Sequence, residues 1–140
     1  MIALLMMLAL QQDPYNPVPE QPGLPRVLLI GDSISMDYTP VVRDHLKGVA
    51  NVRRPSENCR ATTLGLQKLE GWLGSGTWDV IHFNFGLHDL KFVDDKGKNS
   101  TVEKGHIQVP LEIYEKNLTD IVARLKKTNA KLIWCSTTPV

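Results

Sequence analysis

Ser33 stands where an apolar run ends. Arg26–Ile30, RVLLI, leads at once into Gly31-Asp32-Ser33, and residues with helical spacing follow. A short unbroken apolar run marks a strand buried on both faces, and ligands sit beyond the carboxyl ends of such strands. A serine in the turn from that strand to a helix is exposed at the helix start. Main-chain N–H groups there could stabilise a developing oxyanion, so Ser33 has the position of a nucleophile. Gly31 lets the chain turn tightly, and Asp32 caps or orders the turn. The same three residues equally fit a plain turn in which Asp32 or Ser33 caps the helix.

A serine hydroxyl needs a base, because the neutral group is a poor nucleophile. The histidines are His45, His82, His88 and His106. Asp79 and His82 spell D-x-x-H, but they fall within one strand, where residues three apart point to opposite faces. Asp79 also lies at that strand's start, away from the rim, so His82 reads as a core or sheet-face residue. His45 falls on the first helix and His106 in a polar loop. His88, in Gly86-Leu87-His88-Asp89, directly follows a strand. Among other sequences with chemical potential, DDKGKNS at 94–100 lacks calcium-loop spacing. No C-x-x-C pair accompanies Cys59 and Cys135, which argues against a zinc site. Asn99-Ser100-Thr101 and Asn117-Leu118-Thr119 match glycosylation acceptors, relevant only in a eukaryotic secretory pathway.

The elements that must position these residues alternate. Strands are expected over Arg26–Ile30, Val49–Arg53, Trp78–Phe85 and Lys131–Cys135. Helices are expected over Ser35–Lys47, with Pro40 in its first turns, and then from Thr62 or Thr63, as cap, to the Gly74-Ser75-Gly76 cluster. The third opens at Pro110, with Leu111, Tyr114, Leu118, Ile121, Val122 and Leu125 on its apolar face. Gly86–Val109 reads as a long loop whose middle is polar and mobile, and loops of that length are usually functional or disordered. Trp72 and Trp78, flanking the Gly74–Gly76 turn, read as packing residues, and Trp134 on the fourth strand reads as core. The alternation implies a parallel sheet. Its rim would carry Gly31–Ser33, Arg54–Arg60, Gly86–Asp89 and Ser136–Val140.

At 140 residues the chain suffices for one domain. A net charge of +1, with no basic stripe, argues against nucleic acid as a partner. Residues 1–10, MIALLMMLAL, are too few to span a bilayer and resemble the apolar part of a secretory signal, although no Lys or Arg precedes them. Pro-rich residues then run to Pro25. The expected organisation is a signal-like segment and linker over 1–25 and a domain over 26–140, in a secreted or periplasmic protein.

GDSIS after a strand, then NCRATTLGL, WDVIHFNFGLHDLK, VPLEIYEKNL and KLIWCSTTPV, together resemble the SGNH (GDSL-type) hydrolases, in particular the secreted bacterial branch with a G-L-H-D block. The resemblance runs from Arg26 to Val140. It implies a flavodoxin-like three-layer α/β/α fold with a parallel sheet, hydrolysis of small-molecule or carbohydrate esters, and no metal or cofactor. Ser33 matches the nucleophile, and its own N–H would be one oxyanion donor. The family's second block offers a glycine N–H; here the loop is Asn58-Cys59-Arg60, and Cys59 or Arg60 would donate instead. In the third block, usually G-x-N-D, His88 takes the asparagine position as side-chain donor between Gly86 and Asp89, with Asn84 as an alternative. The family's last block, a D-x-x-H near the C-terminus, has no counterpart after the fourth strand within residues 1–140, and Asp79–His82 lies inside a strand instead. The resemblance therefore implies a sheet incomplete at its C-terminal side and a base supplied from beyond Val140, unless His88 substitutes for it. The competing readings are a non-catalytic module holding a carbohydrate or acyl ligand, and an inactive fragment.

Overall fold

The computed structural model describes residues 13–16 and 18–137. The apolar stretch 1–10, and Thr138–Val140 of the expected rim, lie outside the described residues. Six strands and four helices follow in the order β1 (Arg26–Ile30), α1 (Ser33–His45), β2 (Asn51–Arg53), α2 (Thr62–Leu73), β3 (Val80–Asn84), α3 (Leu87–Leu90), β4 (Phe92–Val93), β5 (His106–Ile107), α4 (Leu111–Lys126) and β6 (Lys131–Cys135).

The main sheet has the strand order β2-β1-β3-β6, and every pairing in it is parallel. Successive side chains of a strand alternate between the two faces. Leu28 and Ile30 of β1 and Ile81 and Phe83 of β3 join Phe85 in one core, with Leu69 from α2 and Ile121 and Leu125 from α4. Leu29, His82 and Ile133 are aligned across the three strands and share the opposite face. The result is the flavodoxin-like α/β arrangement, a parallel four-stranded sheet flanked by helices.

Local chemistry explains where the elements begin. Asp32 caps α1: its side chain accepts from the Ile34 N–H, and the helix starts at Ser33, two residues before the expected start. Pro40 consequently lies in the helix interior. Having no N–H, it leaves the Met36 carbonyl without its helical donor. Neither Thr62 nor Thr63 caps α2. The N-cap is Ala61, which has no capping side chain. The helix buries Leu69, with Gly65 beside it. In α4, Pro110 is the N-cap, and the expected face is corrected at two positions: Leu111 at its start is 56% exposed, whereas Asn117 in its middle is buried.

The stretch 86–109 is more ordered than a simple loop. It contains α3 and an antiparallel β4–β5 ladder. Asp94 organises the turn between them: its carboxylate accepts from the N–H groups of Lys96 and Lys98. Two-residue strands are too short to show a period in sequence.

Trp78 is buried, donates to the Leu73 carbonyl at 2.9 Å and carries the Arg26 guanidinium 4.2 Å above its ring. Trp134 is not core. It is 53% exposed, because β6 is the sheet's outer strand among the described residues. No helix among them is long and apolar enough to cross a membrane.

Two glycines of α2 face different surroundings. A Cβ on Gly65 would lie 3.0 Å from Phe85 Cζ and 3.0 Å from Ile121 Cδ1, whereas one on Gly71 would meet nothing. Gly71→Ala is expected to raise stability by about 0.5–1 kcal/mol in urea unfolding, and Gly65→Leu to lower it by about 1–3 kcal/mol through overpacking. Equal effects of the two substitutions would contradict this packing.

Candidate active site

A parallel sheet opens a crevice where the chain leaves neighbouring strands in opposite directions. Here that point lies between β1 and β3, since β1 connects outward to β2 on one side and pairs with β3 on the other. The turn after β1 brings Gly31-Asp32-Ser33 to this end of the sheet, and the turn after β3 brings Gly86–Asp89. The loop after β2 brings Asn58-Cys59-Arg60 alongside: the Cys59 N–H donates to the Gly31 carbonyl at 3.2 Å. Asp79, by contrast, closes the opposite end of the sheet, where its carboxylate accepts from the Arg26 N–H at 2.7 Å.

Ser33 is exposed at the first position of α1. Among the described residues no group hydrogen-bonds its hydroxyl. The turn beneath it is rigid. Ser35 Oγ donates to the Asp32 carbonyl at 2.6 Å and accepts from Arg54 Nη1 at 3.0 Å. Arg54 also donates to the carbonyls of Gly31, Pro55 and Glu57. Burial pulls the Arg54 guanidinium below its ordinary range, with the nearest electron-rich neighbours opposing the shift. A Cβ at position 31 would lie 2.8 Å from Ser35 Cβ, so only glycine lets the turn close on the helix. Sequence reading placed Arg54 on the rim without a role and took Ser35 only as a helix start. An arginine directly after the second strand was the available signal, but nothing local ties it to a turn twenty-odd positions earlier.

The second loop supplies fewer free donors than its position suggested. The Cys59 N–H is occupied by Gly31, and the Arg60 N–H donates to Asn58 Oδ1 at 2.9 Å. Arg60 has φ +49°, in the left-handed region that favours glycine. Cys59 is wholly buried, and burial pushes its thiol up to about 11.

In the third loop Gly86 has φ +147°, and a Cβ there would lie 2.7 Å from Thr137 Cβ. His88 is half-buried, and burial lowers its pKa, leaving a neutral ring at neutral pH. Asp32 is the charge that most opposes that shift, and Lys91 and Arg60 reinforce it, so the ring senses all three loops. Asn84 is committed elsewhere. Its amide donates to the carbonyls of Cys135 at 2.8 Å and Ser136 at 3.1 Å, holding the end of β6.

Asp89 is fully buried and does not face the crevice as a free carboxylate. It accepts the Thr62 N–H at 2.9 Å and the Thr62 hydroxyl, whose oxygen accepts from Asn117 Nδ2 at 3.1 Å. Asp89 thus caps α2 from a distant turn and pins His88 beside the crevice. Tyr114 adds a strut from α4, donating to the Phe85 carbonyl at 3.0 Å. No group of three or more His, Cys, Asp or Glu side chains that could hold a metal occurs among the described residues.

No protein-family model matches the chain, and no curated protein matches it. Among solved structures, the chain is similar to the crystal structure of an acetyl xylan esterase, AlAXEase, with a TM-score of 0.62 and 19% identity over 79% of this chain. The chain spans 57% of the length of that esterase. The fold is therefore esterase-like, a likeness that extends to the sheet and its flanking helices.

Burial raises the Asp89 carboxyl above the usual range, and the two Thr62 donors partly offset this. The native state then retains the proton at pH values where the unfolded chain has lost it. The stability due to this group falls as pH rises through that interval. The wild type's stability relative to Asp89→Asn is expected to decline across the interval just above the ordinary aspartate range and to be level on either side. Asp89→Ala, which orphans buried donors, is expected to cost about 2–4 kcal/mol. Urea unfolding from pH 3.5 to 7.5 measures both, and a pH-independent difference between wild type and Asp89→Asn would refute the first.

Proposed function

We propose that the chain is the nucleophile-bearing part of an SGNH-type serine esterase, acting on O-acetyl or similar esters of a carbohydrate. The observation that carries this reading is the exposed Ser33 at the start of α1, on a turn immobilised by Arg54, Ser35 and Gly31, at the crevice between β1 and β3. The esterase-like fold supports it, and the similar solved structure supplies the acetyl-ester substrate class.

In this mechanism Ser33 Oγ attacks the ester carbonyl, and the alcohol leaves. Water then attacks the acyl-serine and releases the acid. The Ser33 N–H, among the unsatisfied amides of the helix start, donates to the oxyanion. His88, neutral through burial, donates a ring N–H to the same oxygen. Arg54 is a positioning residue acting through Ser35 and the Gly31 carbonyl. The base that takes the Ser33 proton comes from polypeptide beyond Val140. Support for that is the unpartnered Ser33 hydroxyl and the 57% share of the esterase's length that this chain spans. Export from the cytoplasm, proposed from the apolar residues 1–10, suits a polysaccharide substrate.

A second reading keeps the crevice and drops the chemistry: a module that holds an acetylated sugar. The unpartnered Ser33 hydroxyl favours it equally if no base is ever supplied.

The test uses the protein translated from its complete reading frame. It is expected to release acetate from acetylated xylan and to be labelled at Ser33 by a fluorophosphonate. Ser33→Ala should lower kcat/KM by about 10⁴-fold or more, and His88→Ala should lower kcat by about 10²–10³-fold with KM little changed. Equal labelling of Ser33→Ala would refute the nucleophile. Calorimetric binding of acetylated xylo-oligosaccharides without turnover would select the module.

A further inference from the structure

A second pair of reactive groups lies on the α1 side of the sheet. His82 on β3 and Cys135 on β6 are near neighbours there, with His82 Nε2 3.0 Å from Cys135 Sγ. The register explains why they meet. Asn84 pairs with Cys135 and His82 with Ile133, so both side chains rise from one face of adjacent parallel strands. Tyr38 of α1 sets its ring edge-on to the imidazole, with centroids 6.1 Å apart at 85°.

The two groups differ in access. Cys135 is exposed, whereas His82 is half-buried and its Nδ1 is fully enclosed without a hydrogen-bond partner. A buried ring nitrogen without a partner costs stability and calls for an explanation. Among the described residues, Cys135 is the one side chain that engages this ring by hydrogen bonding. Burial also lowers the His82 pKa, so the ring is neutral and able to accept a proton. Beside the pair opens a cavity of about 400 Å³, walled by Ile34, Tyr38 and Val42 and bounded by Asp32. The titratable groups lining it are Asp32, Tyr38, His82 and Cys135.

We propose that Cys135, with His82 as its base, is a thiol–disulfide exchange site for a neutral, apolar low-molecular-weight disulfide. The Cys135 proton passes to His82 Nε2. The thiolate attacks one sulfur of R–S–S–R, an Sγ–S bond forms as the S–S bond breaks, and the departing R–S⁻ takes up the proton. The mixed disulfide Cys135 Sγ–S–R and the released thiol R–SH are the products of one balanced two-electron exchange, with the small disulfide as oxidant. The retained R group lies in the cavity. Its apolar walls favour an uncharged substituent, and Asp32 disfavours an anionic one. The cavity borders the Ser33 turn through Asp32, Ile34 and Ser35, but the exchange does not use the Ser33 hydroxyl and does not depend on the esterase reading. Cys59 provides an internal control, since its burial and raised pKa leave it unreactive.

The experiment follows 2,2′-dithiodipyridine exchange with the full chain at pH 7, against a synthetic peptide of residues 130–137. Exchange in the folded protein is expected to be about tenfold faster than in the peptide. Intact-mass peptide mapping should place the adduct on Cys135. His82→Gln should remove the acceleration at pH 7, whereas at pH 10, where the thiolate forms unaided, variant and wild type should exchange at similar rates. A dianionic aromatic disulfide should show a smaller acceleration. A native rate no greater than the peptide's, or an adduct on Cys59, overturns the proposal, and this comparison decides the matter even if His82→Gln does not fold. An unchanged rate in folded His82→Gln overturns the role of the imidazole, and faster exchange with the dianionic reagent overturns the choice of substituent.

Discussion

The buried carboxylate of Asp89 is the contact on which the crevice end of this fold depends. It lies in the turn after β3, caps α2 through both donors of Thr62, and reaches α4 through Asn117. Three elements far apart in sequence are thereby held at one depth beneath the crevice. Burying a carboxylate is costly, and it persists only where donors surround it. That requirement couples the order of the His88 turn to the packing of the two helices behind it.

The turn after β1 is held by an analogous device on the other side of the crevice. Arg54 fills the space between the first and second loops and donates to main-chain carbonyls and Ser35. An arginine suits this role because its planar fork can satisfy several acceptors at once. Ser33 thus projects from a turn whose Gly31 and Asp32 carbonyls are engaged, while among the described residues nothing bonds its own hydroxyl. His88 answers it from the β3 side, neutral because it is half-buried. The two faces of the sheet differ in consequence. The α2–α4 face is a continuous apolar core, while the α1 face is covered by a single helix and leaves His82 and Cys135 beside an open cavity.

Much of the fold was legible in residue order. The parallel sheet followed from four β-rich runs alternating with helical spacing, and the ends of β1 and β6 match the expected ones. The exceptions share a cause. The start of α2 was assigned to a threonine hydroxyl, whereas Asp89 supplies the cap from another turn. Trp134 was read as core because it is large and apolar, yet its strand lies at the edge of the described sheet. Residues 86–109 looked featureless because β4 and β5 are two residues each. In the site, the block order brought Ser33, Asn58–Arg60 and Gly86–Asp89 to one end of the sheet. It gave no indication that Asn84 binds the end of β6 or that the Cys59 and Arg60 amides are already bonded.

The sequence by itself determined the alternation of strands and helices, the glycine-bearing turn that exposes Ser33, and the rim to which the loops belong. These follow from local periodicity and from the fixed direction of parallel strands. Only the tertiary structure decided which polar groups meet across that rim. Asp89 with Thr62, Arg54 with Ser35, and His82 with Cys135 are each joined by strand register and helix packing. Register is set by the burial of many apolar side chains at once, so no single residue or spacing along the chain could announce those pairs.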